Sequence, residues 1–140
     1  MRLSNPDLPI GYRTTLSKTL PTHAVLAVDE MVQSLLPSIR GQTSLADLGV
    51  ADCDWALHPG GQTIIDGVQR AMGLADEQLR ASREIYRTRG NSSSPTVLAV
   101  LDRLRCMATA KDFVIATAFG PGLSVEMSFL RSCSISPTCY

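Results

Sequence analysis

The sequence lacks an excess of charge of either sign. Thirteen Lys and Arg stand against thirteen Asp and Glu, so the formal net charge is zero. That balance offers no basic face to nucleic acid and none to an anionic membrane, so neither is expected as a partner. No apolar run approaches the ~18 residues of a membrane-crossing helix. The opening residues, MRLSNPDLPIGY, contain an arginine but no apolar core, so a secretory leader is not expected and a cytoplasmic location is. Cys53, Cys106, Cys133 and Cys139 form no C-x-x-C pair and have no histidine at zinc spacing, which leaves no metal site and an expectation of reduced thiols. Gly60-Gly61 does not fit G-x-G-x-x-G and no Walker lysine follows it, so nucleotide-phosphate loops are absent. Internal repeats and low-complexity tracts are missing as well. What is present is 44% hydrophobic and 19% charged residues over a length of 140, enough for a packed domain or part of one.

Along the chain, residues 1–10 read as an extended lead-in, residues 11–131 as the folded domain and residues 132–140 as an irregular tail. Tyr12 to Leu20 has strand composition. Pro21 then opens a helical stripe of Val25, Val28, Val32, Leu35 and Ile39, with Pro37 predicted to kink or end it near Leu36. Residues 42–54 read as loop, and Trp55-Ala56-Leu57 as a short buried strand ending in His58-Pro59-Gly60-Gly61. A second helix is expected from Gln62, stopped by Gly73, and a third opens at Asp76 and stops at Gly90. Ser94 suits an N-cap and Pro95 the first position of a helix over Thr96–Met107. Phe113–Phe119 and Leu123–Leu130 read as strands joined by Gly120-Pro121-Gly122. This is an α/β pattern: a mixed sheet covered by helices, and part of a larger sheet.

Two residues carry candidate chemistry. His58 and Asn91 each stand just ahead of a predicted helix, where backbone N–H groups and the helix dipole point at whatever binds. Such a place disfavours an imidazolium, so a neutral His58 could donate from one nitrogen and accept at the other. Asn91 could donate its side-chain amide to a developing oxyanion. Cys53 lies between Asp52 and Asp54, and that negative charge disfavours a thiolate. His23 sits at a helix start with no evident partner.

The segments Trp55-Ala56-Leu57-His58-Pro59-Gly60-Gly61, Ile64-Ile65-Asp66, Gly90-Asn91-Ser92-Ser93-Ser94 and Phe119-Gly120-Pro121-Gly122-Leu123-Ser124-Val125-Glu126 occur in that order. Together they resemble the C-terminal half of chalcone and stilbene synthase-type enzymes, the type III polyketide synthases. The resemblance implies one half of a thiolase-like αβαβα layered fold. It implies acyltransferase chemistry: a decarboxylative condensation of malonyl-CoA onto an acyl-CoA starter, with no metal or redox cofactor. His58 matches the histidine of the family's Cys-His-Asn triad and Asn91 its asparagine. The nucleophilic cysteine belongs to an N-terminal half, and none of the four cysteines here matches it. Ser93 and Phe119, Gly120, Pro121 and Gly122 match cavity-shaping positions, Thr14 aligns with another, and Gly60 and Gly61 lie toward CoA. Ala118 stands where the family often has glycine. The full-length family is expected to be homodimeric. Two alternatives remain open at this point, a non-catalytic truncated remnant or subunit-binding fragment, and a portion of a ketoacyl synthase III-like condensing enzyme.

Overall fold

A computed structural model describes residues 17–41, 45–107 and 111–132. The lead-in, the tail and Thr14 lie outside the described residues. So does most of the first expected strand; its last residues, Ser17 to Thr19, form a turn, and Leu20 already begins a helix.

Helix α1 runs over Leu20–Arg40 with Pro21 in its first turn, where a missing N–H costs no helical bond. Ala24, Val28 and Val32 are buried at four-residue spacing, and Ile39 is buried in the last turn. Pro37 does not end the helix. Its missing N–H forgoes one bond, but the turn beyond it is held by burial of Ile39 and by Arg40, whose Nε donates to the Leu48 carbonyl at 2.7 Å.

Strand β1, Cys53–Leu57, is buried at every position. It begins two residues earlier than expected. Helices α2 (Gln62–Met72), α3 (Arg80–Arg89) and α4 (Thr96–Arg105) follow, then strands β2 (Phe113–Gly120) and β3 (Ser124–Arg131). Gly73 closes α2 in the left-handed region at φ 62°, a conformation glycine adopts without strain. A 3-10 turn over Asp76–Leu79 leads into α3. Strand order is β1-β2-β3, with β1 parallel to β2 and β2 antiparallel to β3, so the sheet is mixed as expected.

The alternation of side chains across the pleat builds two cores. Cys53, Trp55, Leu57 and Ile115 point to one face, where α1 and α2 supply Val28, Val32, Ile65 and Val68. Ala56, Val114 and Ala116 point to the other, where α3 supplies Ala81 and Ile85, and α4 supplies Val100 and Leu104. Small residues on that second face let the helices approach the sheet. Each fully buried Leu or Ile contributes about 1.5–3 kcal/mol. A strand between two helical layers must be apolar on both faces, which explains the unbroken run in β1.

Candidate functional site

The parallel register pairs Leu57 with Thr117, so β1 and β2 end on the same side of the sheet. His58 leaves the end of β1, and Phe119 lies near the end of β2. In α/β sheets this carboxyl end of parallel strands is where ligand chemistry gathers. The His58 backbone N–H donates to the Thr117 carbonyl at 2.8 Å, extending the ladder by one bond and fixing the direction in which the ring departs.

Asn91 reaches the same place from 33 residues away. It follows α3, whose end is set by Gly90 at φ 69°. His58 Nε2 and Asn91 Oδ1 are 3.1 Å apart. The Ser93 backbone N–H donates to the same Oδ1 at 2.9 Å. A backbone N–H can only donate, so the oxygen of the Asn91 amide, not its nitrogen, faces this side. The proton of the hydrogen bond to His58 must then sit on Nε2. Asn91 Nδ2 turns toward Gly60 and donates to its carbonyl at 3.4 Å.

The imidazole is 4% exposed, and burial holds its pKa below the ordinary histidine value, with the Asn91 hydrogen bond acting in the opposite direction. The ring is therefore neutral near pH 7, with Nε2 protonated. Its Nδ1 is buried and meets no hydrogen-bond partner among the described residues. Phe119 stands edge-on to the imidazole at a centroid separation of 5.9 Å and 75° between planes.

The predicted positions divide as follows. His58, Asn91, Gly60 and Phe119 come together directly. Ser93 joins through its backbone and takes φ 65°, a left-handed conformation that costs a non-glycine residue on the order of 1 kcal/mol. Gly60 is close-fitting: a Cβ there would lie 3.1 Å from Ile64 Cδ1 and 3.8 Å from His58 Cδ2. Gly61 precedes α2 and accepts from the Ile64 and Ile65 N–H groups. Gly120, Pro121 and Gly122 form the connection beyond Phe119, with Gly122 at φ 69°. Thr14 falls outside the described residues.

Ser94 does not cap α4. Pro95 occupies the N-cap position, and the Thr96 hydroxyl bonds the turn instead. Thr96 was not singled out from the sequence; a hydroxyl three residues beyond a serine at a helix start was the available signal.

Cys53 is no partner for this pair. It begins β1 while His58 follows its end, about 3.3 Å per residue away along the strand. Burial, then the charge of Asp52, push its thiol up to about 11. No helix among the described residues is long and apolar enough to cross a membrane.

With this geometry in place, comparison with known proteins is decisive. Residues 8–134 match the family model of chalcone and stilbene synthases, C-terminal domain. The chain belongs to that family. It is 50% identical over 135 residues to the type III polyketide synthase pspB of Penicillium soppii, covering 89% of this chain and 34% of that protein. It is 30% identical to probable polyketide synthase 1 of Dictyostelium discoideum, covering 87% of this chain and 4% of that one. Among solved structures, a type III pentaketide synthase from Neurospora crassa superposes with a TM-score of 0.81 at 41% identity, over 90% of this chain and 35% of that one. The fungal type III polyketide synthase ORAS gives 0.80 at 40%, over 88% and 35%. The fold of the chain is therefore that of the thiolase-like type III synthases. The chain spans about a third of the length of its fungal relatives.

Proposed function

We propose that this chain supplies the histidine and asparagine of a type III polyketide synthase active site. The observation that carries the reading is the 3.1 Å approach of His58 Nε2 to Asn91 Oδ1 at the carboxyl end of β1. The substrates are an acyl-CoA starter and malonyl-CoA. A cysteine thiolate outside this chain attacks the starter thioester, expels CoA and holds the acyl group. The malonyl thioester loses CO2, and the electron pair of the broken C–C bond moves onto the thioester oxygen as an enolate. The Nε2–H of His58, shared with Asn91 Oδ1, and the Nδ2 hydrogen of Asn91 not turned to the Gly60 carbonyl donate to that oxygen. The enolate carbon then attacks the acyl-enzyme carbonyl, and collapse of the tetrahedral intermediate returns the cysteine thiolate.

Neutrality of His58 serves this role, because a neutral Nε2–H can donate without a counter-charge to discharge. The sequence of steps needs no metal and no redox cofactor, since the electron pair released with CO2 is held by the thioester oxygen as the enolate and then forms the new C–C bond, while the C–S pair of the acyl-enzyme leaves with the cysteine sulfur. Gly60 and Gly61 lie toward the CoA arm. Ser93, Phe119 and the Gly120–Gly122 connection, with Thr14, shape the product cavity. The complete enzyme is a cytoplasmic homodimer in this reading.

The test is incorporation of labelled malonyl-CoA by the chain coexpressed with the portion of the Penicillium relative that it does not cover. Turnover is expected, and His58→Gln should lower it about 10²-fold or more, the usual effect of removing one oxyanion donor. Equal turnover with His58→Gln would overturn the assignment. Absence of turnover from a folded complex would favour a non-catalytic subunit-binding role.

A further inference from the structure

We propose that Thr96 is a positioning residue, whose hydroxyl sets the protonated nitrogen of His58 through the Ser93 backbone and the Asn91 amide. The inference deepens the reading above and rests on it for its catalytic meaning. Its structural content stands without turnover.

The chain of contacts runs through four residues. Thr96 is 2% exposed, and its Oγ1 donates to the Ser93 carbonyl at 2.7 Å. The same oxygen accepts the Ser92 N–H at 2.9 Å. Both polar functions of one buried hydroxyl are thereby spent on the backbone on either side of the Ser92–Ser93 peptide. Ser93 between them is held at φ 65°. In that conformation its N–H turns back onto Asn91 Oδ1. Oδ1 must then face His58, and His58 must present Nε2–H to it.

An asparagine amide free to rotate could offer its NH2 group to His58 instead. Nε2 would then be the acceptor and the proton would move to Nδ1. That arrangement leaves no imidazole N–H for an enolate oxygen on the Nε2 side. The Thr96 clamp biases the choice between the two, alongside the Thr96 backbone N–H, which also donates to the Ser93 carbonyl at 3.0 Å, and the long bond from Asn91 Nδ2 to Gly60. Serine at position 93 disfavours the left-handed region found there, so the backbone bond from the Thr96 N–H to the Ser93 carbonyl is reinforced by the hydroxyl in holding the loop.

The test is ¹⁵N NMR of the 140-residue chain. It has two histidines, so His58→Gln assigns the His58 ring nitrogens. Wild type should show one protonated nitrogen, Nε2, and one bare nitrogen, Nδ1, at pH 7. Thr96→Ser keeps the hydroxyl and should keep that pattern. Thr96→Val keeps the shape and should give mixed tautomers, with amide exchange at Ser92 and Ser93 at least tenfold faster. Adding Ser93→Gly to Thr96→Val should restore the single tautomer, since glycine takes φ 65° without the clamp. A role in packing alone predicts no such rescue.

An unchanged tautomer and unchanged exchange in Thr96→Val would overturn the proposal. So would a wild-type chain whose His58 carries its proton on Nδ1, or whose Ser92 amide exchanges as if exposed. These last two measurements decide the matter even where Thr96→Val does not fold. A chain with the expected tautomer in an inactive complex would overturn the function and leave the clamp standing.

Discussion

Among the described residues, strands β1 and β3 are the two edges of the same sheet, and they are treated in opposite ways. The outer edge of β1 is closed by side chains. Gln78 Nε2 donates to the carbonyls of Cys53 at 2.7 Å and Val50 at 2.8 Å, while its Oε1 accepts the Ala75 N–H. Ser82 Oγ accepts the Leu57 N–H at 3.0 Å and lies 3.4 Å from the Trp55 carbonyl, to which it donates. Both faces of β1 are buried. Strand β3 alternates exposed and half-buried residues, and among the described residues no strand pairs with its outer side. Val125, Met127 and Phe129 pack on the core shared with α1, while Glu126, Ser128 and Leu130 on its opposite face are exposed. Closing an edge with buried side chains removes the register freedom of a strand. The strand that delivers His58 is the one so fixed, and a rigid element is what a hydrogen-bonded pair such as His58 and Asn91 requires.

The largest break in this contrast is expected at Asp54. Its carboxylate is fully buried and bound by both Arg80 terminal nitrogens, at 2.6 and 3.1 Å, and by the Lys111 backbone N–H at 2.6 Å. It thereby ties β1 to α3 and to the approach to β2. Asp54→Ala strands the guanidinium and the amide, and should lower stability by about 3–5 kcal/mol, as breaking a buried pair does. Urea unfolding monitored by Trp55 fluorescence measures it. A loss below about 1 kcal/mol would mean that water replaces the carboxylate freely, since net hydrogen-bond contributions are of that size.

Gln78 comes next. Gln78→Leu keeps the volume and removes three hydrogen bonds to backbone groups, one to the carbonyl of Cys53 at the start of β1 and one to that of Val50 in the turn before it. Unsatisfied buried groups cost about 1–3 kcal/mol each, offset by partial hydration at this half-open end, so a loss of about 2 kcal/mol is expected. Hydrogen exchange should quicken in β1 before β3. Faster exchange in β3 alone would reverse the comparison.

How much of this was legible in the sequence differs between the two edges. The period-two pattern of β3 marks a strand with one covered face, and the apolar run of β1 marks one covered on both. The turn glycines and the segments around His58 and Asn91 marked residues that the structure brings together, because each bears on local backbone geometry or on a named chemistry. Gln78 and Ser82 were not legible, since their partners are backbone groups about 25 residues away and no local pattern announces them. Pro37 misled for a related reason: the burial of Ile39 and the bond from Arg40 to Leu48 are tertiary, and they outweigh a local preference. Ser94 misled because serine before proline looks like a cap, whereas the buried Thr96 hydroxyl holds the turn.

The smallest expected effect sharpens the contrast most. Leu130 is 38% exposed on the open face of β3, opposite Val114 in the register. In the chain as it stands, Leu130→Lys leaves the aliphatic stem on that face and puts the ammonium in water, so it should change stability by less than about 0.5 kcal/mol. The charge also discourages pairing along a free edge, so any self-association seen by sedimentation should diminish. A loss of more than about 1 kcal/mol would carry a different meaning, because a surface substitution rarely costs that much. It would show that this face is covered in solution, and that β3, like β1, is buried on both faces, with its cover coming from outside the described residues.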